Sequence, residues 1–190
     1  MPNYRRHYVD GGTFFFTLVT HERVPILIEH RDRLRRAIAE CKQRFPFEIV
    51  AIVVLPDHLH TVWELPANDS DYSKRWSIIK RLFAQDVWLT DETLPRQSRS
   101  REAHRRLPVW QKRFWEHWVR DENELLDVVD YIHFNPVKHG YARCVHDWPY
   151  SSFERMVDQG QYTREWCCTC ENPTIDARRF YEAKWDAFEA

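Results

Sequence analysis

Residues 47–66 read FEIVAIVVLPDHLHTVWELP. Phe47 to Leu55 is apolar throughout except for Glu48. A near-continuous apolar run of this length reads as a central strand covered on both faces. Pro56-Asp57 interrupts it, His58 to Leu65 resumes as a second strand, and Pro66 stops that one. His58 and His60 are two apart, so on a strand they face the same way. Leu59 and Val62 are read as core on the opposite face, with Thr61 beside them as a buried hydroxyl.

Working outward, Thr13 to Thr20 (TFFFTLVT) is aromatic and β-branched and reads as a strand after the punctuation of Gly11-Gly12. Between the strands, residues from about Glu29 to Arg44 carry Leu34, Ile38 and Cys41 at helical steps, with Phe45 next and Pro46 as the stop. A second helix is expected from Tyr72 to Trp88, with Tyr72, Trp76, Ile79, Phe83 and Val87 on one face. Residues 90–108 read as a polar loop, and Trp110 to Val119 includes a short strand. Asp121 to about Phe134 reads as a helix with acids in its first turn, where the helix dipole favours them. Pro136 marks its end, because proline disfavours helical geometry in the preceding residue. Strand, helix, strand, strand, helix, strand, helix suits an α+β fold with helices on an antiparallel sheet. The domain is expected over 1–157. Residues 158–190 form an acidic, aromatic extension expected to dock on it.

A chain of 190 residues, 43% apolar with 11 Phe, 9 Trp and 8 Tyr, is large and apolar enough for a real core. No apolar run approaches a membrane span and the N-terminus lacks a signal sequence, so a cytoplasmic protein is expected. The net charge of −1 hides an uneven spread. Arg96, Arg99, Arg101, Arg105, Arg106, Lys112 and Arg113 face only Glu102, a local basic surface suited to nucleic acid or to a solvated loop. The five cysteines do not read as a disulfide scaffold without secretion. Cys167 and Cys170 have the gap of half a zinc or redox site, but no second pair exists, so most are read as free thiols.

Two pieces carry chemistry. The imidazoles of His58 and His60 suit a transition metal, though a His-x-His pair also suits two histidines hydrogen-bonding at a strand end. Tyr131 and Asn135 lie four apart and therefore share a helix face. The amide can join a metal held by two histidines, and the phenol then stands beside it as a nucleophile for a phosphodiester. An ordinary core tyrosine beside a capping asparagine is the plain alternative. Asp127, His133, Lys138 and His139 surround the motif. Asp127 is a candidate to orient the phenol, His133 a weaker candidate base, and Lys138 a phosphate contact.

These motifs with their flanks resemble the REP-associated tyrosine transposases, members of the HUH single-strand nucleases of the single-tyrosine insertion-sequence type. The likeness runs through Tyr4-Arg5-Arg6, Gly12 to Thr17, Leu55-Pro56-Asp57-His58-Leu59-His60, Trp110 to His117, Tyr131-Ile132-His133-Phe134-Asn135-Pro136-Val137-Lys138-His139-Gly140 and Trp148 to Phe153. It covers most of residues 4–155. The resemblance implies a ferredoxin-like sheet, with His58, His60 and Asn135 as ligands of Mg2+ or Mn2+. It implies Tyr131 as the nucleophile of a 5′-phosphotyrosine intermediate. The implied substrate is a repetitive extragenic palindrome folded as a single-stranded DNA hairpin.

Aromatic rings can stack exposed bases while cations track phosphates. The expected DNA contacts are Tyr4, Arg5, Arg6, Lys80, Arg81, Arg99, Arg101, Arg105, Arg106, Lys112, Arg113 and Lys138. Trp110, Trp115 and Trp118 are candidate stacking platforms. A monomer is expected, with a homodimer sharing sites as the alternative. Two other functions stay open: a sequence-specific DNA-binding protein with little cleavage, and a phosphodiesterase acting on small substrates.

Overall fold

The computed structural model describes residues 6–88, 107 and 109–168. Four strands form one antiparallel sheet: β1 (Thr13–Val19), β2 (Glu48–Val54), β3 (His58–Glu64) and β4 (Trp115–Val119). Their order is β2-β3-β1-β4. Helix α1 (Arg31–Arg44) links β1 to β2, and α2 (Tyr72–Trp88) lies between β3 and β4. This βαββαβ succession in that order is ferredoxin-like. Helices α3 (Glu122–Lys138) and α4 (Phe153–Asp158) follow.

Strand alternation divides the core into two layers. Phe14, Phe16, Leu18, Leu59 and Trp63 pack against α1 and α2, where Trp63 stacks on Trp76 with ring centroids 4.0 Å apart. Phe15, Ala51, Val53 and Val62 pack instead against Val128, Val129, Tyr131 and Ile132 of α3. Val62 thus shares the face of His58 and His60, not that of Leu59 as expected. Three alternating positions cannot be split between faces in a regular strand. Thr61 does lie with Leu59, and its buried hydroxyl donates to Ala51 O at 2.8 Å.

β2 is an edge strand and not a central one. Its outer side is still satisfied. Ser152 N donates to Ile52 O and Val54 N to Tyr150 O, both at 2.8 Å. The Trp148 indole donates to Val54 O at 3.0 Å. An irregular segment of chain therefore takes the place of a fifth strand, and the apolar sequence follows from packing on both faces, Ile52 and Val54 on one and Ala51 and Val53 on the other. The central strands are β3 and β1.

α3 begins as its sequence suggests, with the Asp121 carboxylate accepting from Glu124 N at 2.9 Å. It does not stop before Pro136 but continues through it to Lys138. Proline removes one N–H from the last turn, where little of the ladder remains to be lost. The end is closed by His139 N donating to Asn135 O and Gly140 N to Val137 O, each at 3.0 Å. Gly140, with φ +72°, supplies the left-handed residue that such a closure needs.

After this turn the chain doubles back. A disulfide joins Cys144 to Cys168, which corrects the expectation of unpaired thiols. The cysteines are 24 apart in sequence, and only the return of the chain across α4 brings their Cα atoms to 4.6 Å. Cys41 and Cys167 are buried outside the bridge. Among the described residues, no helix is long and apolar enough to cross a membrane.

Candidate active site

β3 delivers His58 and His60 to the face covered by α3, both buried. Their ring centroids are 5.1 Å apart. α3 crosses the same face and brings the Tyr131 ring to 5.5 Å from that of His60. Phe15 wedges beside both, 5.6 Å from His60 and 6.1 Å from Tyr131. His139, one residue past α3, places its ring 5.2 Å from His58. The two sequence motifs therefore meet in one chain.

Each imidazole is held through Nδ1. The Asp57 carboxylate lies 2.6 Å from His58 Nδ1 and accepts its proton. A carboxylate partner fixes the tautomer, so Nε2 keeps its lone pair. That Nε2 is buried with no hydrogen-bond partner. Thr17, opposite His60 in the β1–β3 register, sets its hydroxyl 2.9 Å from His60 Nδ1. In both residues Nδ1 is held by a neighbour, as is usual for metal-binding histidines.

Asp57 is itself fixed. Its backbone carbonyl accepts from Thr20 N at 2.8 Å and Thr20 Oγ1 at 2.9 Å. Arg23 Nη1 lies 3.0 Å from its second carboxylate oxygen. Burial favours the neutral acid, but the bonds and charges of His58 and Arg23 outweigh it and lower the Asp57 pKa to about 2. Arg23 reaches this position from a short 3-10 turn in which Glu22 and Arg23 both adopt positive φ, 55° and 54°. That conformation is uncommon for residues with a Cβ.

Asn135 is fully buried one turn after Tyr131, on the same helical face. Lys138 lies with its ammonium 5.0 Å from the Tyr131 ring centroid. Two imidazole nitrogens and an amide oxygen make a neutral donor set suited to a divalent cation. The buried, unbonded Nε2 of His58 fits such a ligand.

The other sequence candidates separate. His133, on another side of α3, is fully buried. Its Nε2 lies 2.9 Å from Ser152 Oγ, and its ring packs against Phe153 and Tyr162. Burial, aided by Arg155, lowers its pKa to about 3, which makes it a poor base near neutrality. Asp127 is solvent-exposed. Arg6 is spread over Phe114, 4.4 Å from the ring, with Nε 3.5 Å from Glu116. Lys80 donates to Gln111 O at 2.7 Å and Arg81 to Gln85 at 3.2 Å. Lys112 and Arg113 are exposed. They follow Gln111, whose N–H bonds to Val19 O, and Val19 is the β1 partner of His58. Both thus emerge at the sheet end that carries the histidines. Trp110 is core, whereas Trp115 and Trp118 are partly exposed. Tyr4, Arg5, Arg99, Arg101, Arg105 and Arg106 lie outside the described residues.

Sequence reading missed the supports: Thr17, Asp57 and Arg23. Asp57 was signalled by its place beside His58. Thr17 had no signal, because only the strand register sets it opposite His60.

Comparison with known proteins accords with this geometry. The family model for IS200-like transposases matches residues 8–135. A REP-associated tyrosine transposase of Escherichia coli K12 is 42% identical over 167 residues, covering 87% of this chain and 91% of the relative. A Haemophilus influenzae protein assigned to the same group is 42% identical over 171 residues, covering 87% and 93%. A solved REP-associated tyrosine transposase, bound to a REP hairpin, superposes with TM-score 0.76 at 42% identity, covering 88% of this chain and 92% of that one. The chain therefore belongs to the IS200-like transposase family, on its REP-associated tyrosine transposase branch.

Proposed function

We propose that this transposase nicks and rejoins single-stranded DNA at repetitive extragenic palindrome hairpins, with Tyr131 as nucleophile and Mg2+ or Mn2+ as cofactor. The observation that carries the reading is the meeting of His58, His60 and Tyr131 on one face of the sheet. His58 and His60, through Nε2, and Asn135, through its amide oxygen, would hold the cation. When bound, that cation supplies charge neutralisation at a phosphate oxygen.

The remaining work falls to the chain. Tyr131 attacks the scissile phosphorus through its phenolic oxygen. The new bond is tyrosine O–P, and the broken bond is P–O3′. The phenolic proton leaves to solvent or a bound base, and the departing 3′-oxygen ends as a hydroxyl. The DNA 5′ phosphate stays on the protein. Attack by a 3′-hydroxyl reverses the exchange, so strands rejoin without a nucleotide cofactor. α3 holds the phenol at one place relative to the histidines, which lowers the entropic cost of in-line attack. The Lys138 ammonium is attracted to the charge that develops as the phenol loses its proton.

Hairpin DNA is the favoured partner because the solved relative at 42% identity is bound to one. Lys112 and Arg113 leave the sheet beside the histidine end and suit phosphate contacts. The site is completed within one chain, which supports a monomer. Work on DNA supports a cytoplasmic location.

The test is Tyr131→Phe with a labelled single-stranded hairpin. Cleavage and the protease-sensitive covalent adduct should vanish while hairpin affinity stays within about twofold. An adduct formed by the variant would refute the assignment. A wild-type protein that binds the hairpin in Mg2+ without cutting it would favour a binding role alone.

A further inference from the structure

Cys144, His146 and Cys168 each offer a ligand atom, and the three atoms lie within 4.8 Å of one another. The cluster sits apart from the nuclease face, where the chain returns after α3. Both cysteines are buried, and His146 is only about a fifth exposed, its side chain at 21%. Local bonds hold each contributor. Cys144 N donates to Asp147 Oδ2 at 3.2 Å, and Cys168 N to Glu165 O at 3.0 Å. His146 Nδ1 lies 3.0 Å from Arg164 O. A carbonyl can only accept, so Nδ1 carries a proton and Nε2 is the nitrogen a metal would take. A metal-binding histidine held through a backbone carbonyl has this arrangement. Asp147 Oδ1 is 3.5 Å from that Nε2.

We infer that, when Cys144 and Cys168 are reduced, they and His146 form a zinc site unrelated to the nuclease centre. In the cytoplasm proposed above, a cellular thiol or dithiol reductant would open the bridge, giving two electrons and two protons to form two thiols while it is itself oxidised to a disulfide. Two buried thiols beside an imidazole are then a soft, compact donor set. Zinc takes such Cys and His donors in a tetrahedron, and two thiolates at about 2.3 Å from it stand about 3.8 Å apart. With their Cα atoms 4.6 Å apart, the reduced side chains can open from the bonded distance to that separation by side-chain rotation, and water or another side chain takes the fourth position. Binding deprotonates both thiols, releasing two protons, and involves no change of oxidation state.

The site would fasten residues 159–168 to the body. That segment buttresses the tyrosine helix. Tyr162 donates its hydroxyl to Asp130 at 2.6 Å, next to Tyr131 in sequence, and its ring packs on His133 at 5.3 Å. Zinc occupancy would therefore steady the helix that carries the proposed nucleophile.

The experiment uses the full chain, reduced with a phosphine and stripped of metal, titrated with cobalt(II). A thiolate-to-cobalt charge-transfer band in the near ultraviolet, with tetrahedral d–d bands, should appear and be displaced by one equivalent of zinc. The His58→Ala/His60→Ala double variant should keep these bands, which separates this site from the nuclease centre. Cys144→Ser and Cys168→Ser should lose the charge-transfer band, and His146→Asn should weaken cobalt binding. Cys41→Ser should leave all of it intact. Where a serine variant fails to fold, the reduced His58→Ala/His60→Ala protein decides: zinc should raise its Tm and a chelator should lower it again. Absence of the charge-transfer band in reduced wild type, its survival in a folded Cys144→Ser protein, or a Tm indifferent to zinc would each overturn the proposal.

Discussion

Thr17 and Asp57 show how much of this site depends on groups that bind no substrate. Each holds a histidine through its Nδ1, and the proposed metal would take the other ring nitrogen. Thr17→Val keeps the shape of the side chain but leaves a buried imidazole nitrogen without its hydroxyl. Cleavage should fall by about 10- to 100-fold, the range seen when such supports are lost. Stability should fall by about 1–3 kcal/mol, and hairpin affinity should hold. Single-turnover cleavage measured beside filter binding and urea unfolding checks all three. Asp57 stays ionised from neutrality down to its lowered pKa of about 2. Its contribution to stability is complete above the ordinary carboxylate pKa of about 4 and is lost as pH falls from there through 2. Its grip on His58 therefore persists across any working pH.

At the scale of the element, α3 serves two sides. Its Tyr131 face meets the sheet, while His133 meets α4 and the returning chain. His133 is held neutral by burial, with a pKa near 3 against about 6.5 when unfolded. The unfolded chain then binds the extra proton between those values. Stability should be full above pH about 6.5 and fall by about 1.4 kcal/mol per pH unit below it, levelling near pH 3. Replacing His133 by Gln removes this term. Between pH 7 and 5 the wild type should lose about 2 kcal/mol more than the variant in urea unfolding. Equal losses would mean that His133 is protonated in the folded protein. The edge position of β2 is a second lesson at this scale. Its apolar run resembled a central strand because both of its faces are packed, Ile49, Ile52 and Val54 toward α1 and α2 and Val50, Ala51 and Val53 toward α3, while residues 150–152 bond its outer backbone.

For the whole molecule, two exposed cations and the histidine pair lie at one end of the sheet, so the proposed recognition of DNA and attack on it would share that end. Lys112 and Arg113 leave beside Val19, the partner of His58. If each neutralises a phosphate, hairpin affinity falls with salt, and each alanine substitution lowers the log–log slope by about 0.7 for single-stranded DNA. Equilibrium binding of a hairpin from low to moderate salt measures this. An unchanged slope in the Lys112→Ala/Arg113→Ala protein would remove both from the interface. The sequence by itself determined the four strands and the three longer helices, because alternation and helical spacing are local properties of side-chain pattern, but not the short helix α4. It also determined the pairing of His58 with His60 and of Tyr131 with Asn135, since two-residue and four-residue steps fix a shared face. Helix α3 continued past Pro136 against that local signal, because a proline in the last turn costs few bonds and Gly140 closes the end. Only the tertiary structure decided that β2 lies at the edge, that Thr17 faces His60, and that Cys144 meets Cys168. Each of these joins residues far apart in the chain. Such partners are chosen by sheet order, register and the path of the returning chain, none of which any single segment encodes.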